Sequence, residues 1–86
     1  DFSHANSQKQ FKNQLLVGDD IAGQISAGSQ EIFGVMIESH INEGNQPVGP
    51  LEPLQYGVSI TDSCIGWADT ENLLKILAQA VQKRNA

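Results

Sequence analysis

Residues 32–37 read Ile-Phe-Gly-Val-Met-Ile, and this run decides the fold class of the 86-residue chain. The run is apolar throughout and lacks the alternation of apolar and polar residues that marks a strand with one solvated face. Strands that are buried on both faces have this pattern, and they belong to parallel sheets covered by helices. The run therefore predicts a buried strand of an α/β fold.

The segment before this run has the spacing of an amphipathic helix. Apolar residues recur at steps of three and four within residues 7–27. Asn6 or Ser7 can cap the start by accepting a hydrogen bond from a free backbone N–H, and Gly28 can close the end in a left-handed conformation. Two internal glycines each weaken such a helix by about 1 kcal/mol relative to alanine. Packing must therefore stabilise it.

The segments after the run continue the order of a parallel α/β protein. Residues 43–57 contain all three prolines, which excludes a long helix or a central strand and predicts a loop. Residues 58–61 read as a short strand, and Asp69 is placed to cap a last helix. One strand–helix unit of a (β/α)8 barrel averages about 31 residues, so the chain holds fewer than three units. Residues 1–86 are expected to form part of a barrel and no complete domain.

Composition and charge exclude several classes of protein. Charged residues make up 17% of the chain and the net charge is −5, so no basic patch is available for nucleic acid. No apolar run approaches the roughly 20 residues of a membrane helix. The single cysteine, Cys64, excludes an internal disulfide and makes the cytoplasm the expected location. Residues 1–4 include neither an initiator methionine nor a secretory signal. We therefore expect the sequence to begin inside a longer chain.

Three side chains able to bind a metal stand at corresponding places in this pattern. His4 follows a short extended start, Glu38 ends the run 32–37, and Asp62 ends the strand 58–61. The carboxyl ends of parallel strands meet at one edge, where sites are built. One imidazole and two carboxylates suit a divalent transition metal such as Mn²⁺, Fe²⁺ or Zn²⁺. Taken singly, the three have ordinary alternatives: an exposed histidine, a carboxylate bonded to amides, and a turn or cap residue.

Other residues near these positions have both a functional and a structural interpretation. His40 can orient a ligand, but loop histidines are more often solvated. Cys64 can be a soft fourth ligand, although a small buried cysteine is the commoner case. Trp67 can stack on a ligand or, more commonly, pack at the start of the last helix. The helix start at residues 6–8 can hold an anion or only water.

Specific motifs run through the chain in order: residues 1–7 (DFSHANS), 34–40 (GVMIESH), 43–46 (EGNQ) and 56–67 (YGVSITDSCIGW). Together they closely resemble type I 3-deoxy-D-arabino-heptulosonate 7-phosphate (DAHP) synthase, the enzyme that opens the shikimate pathway to aromatic amino acids. The resemblance covers essentially the whole chain but only about the last quarter of the family's sequence.

The resemblance implies the carboxy-terminal portion of a (β/α)8 TIM barrel, namely the end of strand 6, helix 6, strand 7, a long loop, strand 8 and helix 8. It implies condensation of phosphoenolpyruvate with erythrose 4-phosphate at a divalent metal (Mn²⁺, Fe²⁺, Co²⁺ or Zn²⁺). His4, Glu38 and Asp62 match three of the family's four metal ligands, and His4 and Asp62 are the expected catalytic residues, with Asp62 as a proton acceptor. The fourth ligand is a cysteine early in the barrel, and Cys64 does not occupy that motif.

Two functional hypotheses follow. In the first, the chain is part of the synthase and is inactive without the remainder of the barrel, which also carries most of the cations that clamp the substrate phosphates. Lys9 and Lys12 are the only cations near the expected site. In the second, the chain is a non-catalytic piece with residual metal binding that forms a homo-oligomer by burying exposed sheet edges.

Overall fold

The computed structural model describes residues 1–86, which form two α-helices connected by extended chain. A 3-10 turn spans His4–Ser7, helix α1 spans Asn13–Ser26 and helix α2 spans Trp67–Arg84. The two helices pack against each other. Neither combines the length and the hydropathy that crossing a lipid bilayer requires.

Helix α1 begins later than the sequence pattern predicts. Gln8 and Lys9 adopt left-handed backbone angles, with φ of 56° and 60°, and they separate the 3-10 turn from the helix. The helix therefore starts at Asn13, and no side chain caps it. The prediction that Asn6 or Ser7 caps this helix is wrong, and the alternative of an anion bound at the same helix start loses its basis.

The end of α1 agrees with the sequence-based prediction, whereas the start of α2 differs from it. Gly28 has a φ of 112°, and its N–H donates to the carbonyl of Ile25 at 2.9 Å. A left-handed glycine after the last helical turn satisfies carbonyls that the helix leaves free. At the start of α2, Gly66 occupies the N-cap position without a side-chain cap. Asp69 lies in the first turn instead of capping the helix, where its charge still suits the helix dipole.

One small core lies between the helices. Its buried apolar residues come from both helices and from the extended chain: Phe2, Ala22, Ile25, Ile65, Leu73, Leu77 and Ala80. Only 14 of the 86 residues are buried. The radius of gyration is 15.0 Å, whereas a compact domain of this length has about 12 Å. The chain is therefore more elongated than a self-contained domain.

The run 32–37 is extended but does not form a paired strand. One backbone bond joins it to the start of the chain, from the N–H of Phe2 to the carbonyl of Met36 at 2.9 Å. A parallel ladder needs successive hydrogen-bonded partners along a strand. The β-bridges of this structure are isolated, and all of them lie outside residues 32–37. Phe33 is 99% exposed. The prediction of a strand buried on both faces is thus wrong for this chain, because the two helices cover too little of it.

The segment 58–61 also lacks the predicted strand ladder. Ser59 forms an isolated parallel bridge with Asn45, and its carbonyl accepts the N–H of Gln46 at 2.8 Å. The segment therefore pairs with the loop that precedes it in sequence. The chain directly after the run 32–37 is reached later, at Ile65, which forms an isolated parallel bridge with Ser39.

Residues 43–57 contain no helix, as predicted, and a side-chain amide organises them. Gln46 Nε2 donates to the carbonyls of Gln55 and Val58 at 2.8 and 3.0 Å. The N–H of Gln55 donates back to Gln46 Oε1 at 2.8 Å. One glutamine thus replaces part of the backbone pairing that the prolines prevent.

The closest approach of α1 to α2 gives a paired test of helix packing. A Cβ added at Gly18 would lie 2.5 Å from Leu73 Cδ1, whereas one added at Gly23 meets no atom within 4 Å. We expect Gly18→Ala to lower the thermal unfolding midpoint, because overpacking costs about 1–3 kcal/mol. Gly23→Ala should raise it, since only the gain in helix propensity of about 1 kcal/mol applies. Calorimetry that finds equal shifts for the two variants would contradict this packing.

The exposed apolar surface predicts how the isolated 86-residue chain behaves. Its accessible surface is 5919 Å², against about 5000 Å² for a folded monomer of the same mass. Phe33 and Leu51 are almost fully exposed, at 99% and 93%. We therefore expect concentration-dependent self-association in sedimentation velocity. A monodisperse monomer that unfolds cooperatively would contradict this expectation.

Candidate metal centre

The backbone of His4 is fixed in an uncommon conformation at the start of the 3-10 turn. Its φ is 54°, a conformation that costs a residue other than glycine about 1–3 kcal/mol and persists only where the surroundings hold it. The carbonyl of His4 accepts hydrogen bonds from the Ser7 hydroxyl at 3.1 Å and from the N–H of Lys9 at 2.8 Å. The turn therefore fixes the direction in which the imidazole projects.

Both ring nitrogens of His4 face carboxylates. Nδ1 lies 3.0 Å from Asp1 Oδ2, and Asp1 Oδ1 accepts the Ser3 hydroxyl at 2.6 Å. Nε2 lies 3.1 Å from Asp62 Oδ2 and 3.7 Å from Glu38 Oε2. In the tautomer that carries its hydrogen on Nδ1 and donates it to Asp1, the lone pair of Nε2 faces two carboxylates. A cation placed between these groups would be shared by one imidazole and two carboxylates.

The spacing of the three donor groups suits a metal ion. One ligand atom from each of His4, Glu38 and Asp62 lies within 4.8 Å of the others. Donors bound at about 2.1 Å to a tetrahedral ion are about 3.4 Å apart, which falls between the 3.1 and 3.7 Å separations from His4 Nε2. The structure thus brings together the three side chains that the sequence pattern singles out.

Glu38 is held in place through its backbone. Its N–H donates to Gln14 Oε1 at 2.8 Å, and its carbonyl accepts Gln14 Nε2 at 2.9 Å. The same carbonyl accepts the N–H of Ile65 at 3.0 Å. Gln14 belongs to the first turn of α1 and is fully buried. One helix and one extended segment therefore fix the base of the Glu38 side chain.

The three side chains open into a cavity of about 310 Å³, near the lower end of the range of small-molecule sites. Its lining is mainly polar: His4, Ser7, Lys9, Phe11, Gln14, Glu38, Asn45, Asp62 and Ser63. Lys9 is the only cation in this lining. Lys12 instead pairs with Glu43 at 3.7 Å, with both side chains exposed. The cavity therefore combines a metal-binding donor set with little positive charge.

The other candidate side chains lie outside this cluster. His40 is exposed, and its Nδ1 accepts the backbone N–H of the next residue at 2.9 Å. The Cys64 thiol is buried and donates to the carbonyl of Asp62 at 3.5 Å. Burial raises the pKa of this thiol, and the charges of Glu38 and Asp62 add to the rise, so the thiolate that a metal would need is disfavoured. Trp67 is 56% exposed.

Two residues of the site were not predicted from the sequence. Gln14 lies three residues after Phe11 and four before Gly18, so the helical period places an amide on the buried face. A buried amide must find hydrogen-bond partners. The helical spacing of Gln14 could therefore have predicted that its side chain binds a neighbouring segment. Asp1 carries no comparable signal, since its contact with His4 depends on the left-handed turn.

Comparison with known proteins supports one assignment. A sequence profile described as the DAHP synthetase I family matches residues 1–75. Over 84 residues the chain is 60% identical to the Phe-sensitive phospho-2-dehydro-3-deoxyheptonate aldolase of Escherichia coli K12, covering 98% of this chain and 24% of that protein. Over 90 residues it is 52% identical to the tyrosine-inhibited phospho-2-dehydro-3-deoxyheptonate aldolase of Candida albicans, covering 100% of this chain and 24% of that protein.

A solved structure agrees with these sequences. The phospho-2-dehydro-3-deoxyheptonate aldolase of Francisella tularensis SCHU S4 superposes with a TM-score of 0.93 at 47% identity. The superposition covers 99% of this chain and 24% of the Francisella chain. The chain thus spans about a quarter of the length of the relatives it matches. By its sequence and its fold, it belongs to the DAHP synthetase I family.

Proposed function

We propose that this chain is part of a metal-dependent DAHP synthase, which condenses phosphoenolpyruvate with erythrose 4-phosphate in the first step of the shikimate pathway. Family membership supports the reaction. The observation that carries the proposal for this chain is the position of His4 Nε2, 3.1 Å from Asp62 Oδ2 and 3.7 Å from Glu38 Oε2. The mixed donor set suits Mn²⁺, Fe²⁺, Co²⁺ or Zn²⁺.

We further propose that the chain forms the carboxy-terminal portion of a (β/α)8 barrel. Backbone bonds join the extended segments in the order of three adjacent parallel strands, from Phe2 to Met36 and from Ile65 to Glu38. Helices α1 and α2 would then be helices 6 and 8. The exposed apolar side chain of Phe33 supports further barrel elements that cover it. On this proposal residues 1–86 are no complete domain.

Within the site, each side chain has a separate task. A divalent cation, when bound, would polarise the aldehyde carbonyl of erythrose 4-phosphate toward attack by C3 of phosphoenolpyruvate. Asp1 holds the Nδ1–H of His4, so Nε2 is left free to donate its lone pair. Glu38 is the less exposed carboxylate, at 21%, and serves as an anchored ligand. Asp62 is 61% exposed, so it is the carboxylate that can accept a proton as water adds at C2.

The substrate phosphates require groups that this chain does not supply. Lys9 is the only cation that lines the cavity, and the chain carries a net charge of −5. Two doubly charged phosphates need several charge-assisted hydrogen bonds. We therefore propose that the remainder of the barrel is the partner that provides these cations and a fourth metal ligand.

A second candidate function is a non-catalytic piece that binds metal weakly and associates with itself. One observation favours it, namely the exposure of Phe33, Val35 and Met36 along one extended segment. It differs from the first candidate in one respect, since it requires no contribution from a larger barrel.

The role of Asp62 predicts the effect of a neutral substitution in the whole enzyme. We expect Asp62→Asn to lower kcat by about 10²–10⁴, the usual contribution of a positioned acid or base. The readout is the steady-state rate at saturating Mn²⁺. Asp19→Asn is the control, because Asp19 is exposed on α1 and does not line the cavity. Unchanged turnover by Asp62→Asn with metal bound would remove this role.

The shortage of cations predicts that the 86-residue chain alone is inactive. We expect no formation of product when it is incubated with both substrates and Mn²⁺, because it lacks the groups that hold phosphate. The assay measures release of inorganic phosphate, and the whole enzyme serves as the positive control. Turnover by the chain alone would show that residues 1–86 hold a sufficient site.

A further inference from the structure

Gln14 is a buried polar residue to which the proposed function assigns no role. It is 0% exposed, and both ends of its amide bond to the backbone of one residue, Glu38. We infer that Gln14 positions Glu38 for metal binding. This inference rests on the metal site proposed above and assigns a specific supporting residue to it.

The contact has the form of a strand pairing. A neighbouring strand would offer Glu38 a carbonyl and an N–H, and the Gln14 side chain offers the same two groups from α1. The distances are 2.8 Å at the N–H of Glu38 and 2.9 Å at its carbonyl. The carbonyl of Glu38 also accepts a second hydrogen bond, from the N–H of Ile65 at 3.0 Å. Together the three bonds fix the peptide groups on both sides of the Glu38 Cα.

Only an amide of this length can make both contacts. An ionised glutamate has no hydrogen to donate to the carbonyl of Glu38, and methionine fills a similar volume with neither group. Removing the amide would leave the N–H of Glu38 without its partner, which is unfavourable unless the backbone moves toward solvent. Such a movement would carry the Glu38 carboxylate away from His4 Nε2, now 3.7 Å distant.

Metal binding is sensitive to displacements of this kind. Ligating groups have to be held within about 0.5 Å of the productive geometry. Residues that orient a ligand without touching the metal typically contribute 10–100-fold to affinity. Gln14 therefore affects the metal through Glu38 and is a positioning residue.

The test compares variants of the whole enzyme at one site on α1. Gln14→Met removes both hydrogen bonds at similar volume, and Gln14→Asn keeps the amide but shortens its reach. Gln24→Met is the matched control, because Gln24 is exposed on the same helix. The readouts are the Kd of Mn²⁺ from the electron paramagnetic resonance signal of the free ion, and the visible absorption spectrum of bound Co²⁺.

We expect Mn²⁺ to bind both Gln14 variants about 10–100-fold more weakly, with a changed Co²⁺ spectrum, and the control to match the unsubstituted enzyme. If Gln14→Met does not fold, as judged by circular dichroism, the Gln14→Asn measurement decides. Equal Kd values and an unchanged Co²⁺ spectrum in a folded Gln14 variant would overturn the inference. Absence of Mn²⁺ binding by the unsubstituted enzyme would instead overturn the proposed function, so the two failures are distinct.

Discussion

The close packing of α1 on α2 at Gly18 is the constraint on which the rest of this structure depends. The absence of a side chain there lets Leu73 occupy the space that a Cβ would need. Gln14 lies one turn earlier on the same face of α1, so the depth of this packing determines whether its amide reaches the backbone of Glu38. The position of the Glu38 carboxylate is thus linked to the contact between two helices.

The charges of the site and of the chain determine which kind of ligand the site favours. His4, Glu38 and Asp62 place one imidazole between two carboxylates, an arrangement that favours a cation. This chain contributes few positive groups of its own, with 5 basic against 10 acidic residues, so its charge favours a bound cation over a phosphate group. On the proposed function, the two halves of the chemistry therefore come from different parts of one barrel.

The sequence predicts those features that depend on local chemistry. The left-handed Gly28 and the proline-containing loop of residues 43–57 follow from side-chain types. The convergence of His4 with the two carboxylates was predicted as well, although the predicted strands are present here only as extended segments joined by single backbone bonds.

Features that depend on distant contacts were not predictable in this way. The run 32–37 has the composition of a doubly buried strand, yet burial and pairing depend on neighbours that the run itself does not specify. The late start of α1 depends on left-handed angles at Gln8 and Lys9, and neither residue type signals such angles. The contact of Asp1 with His4 follows from the same turn. Local patterns therefore predicted which side chains converge better than they predicted the groups that orient them.

Anomalous X-ray diffraction from the whole enzyme crystallised with Mn²⁺ tests the central claim most directly. The account predicts one strong anomalous peak for an Mn²⁺ ion that is bound by His4 Nε2. Carboxylate oxygens of Glu38 and Asp62 should be further ligands of this ion at about 2.0–2.2 Å. A fully occupied Mn²⁺ peak elsewhere in the protein, with these three side chains free of metal, would contradict it.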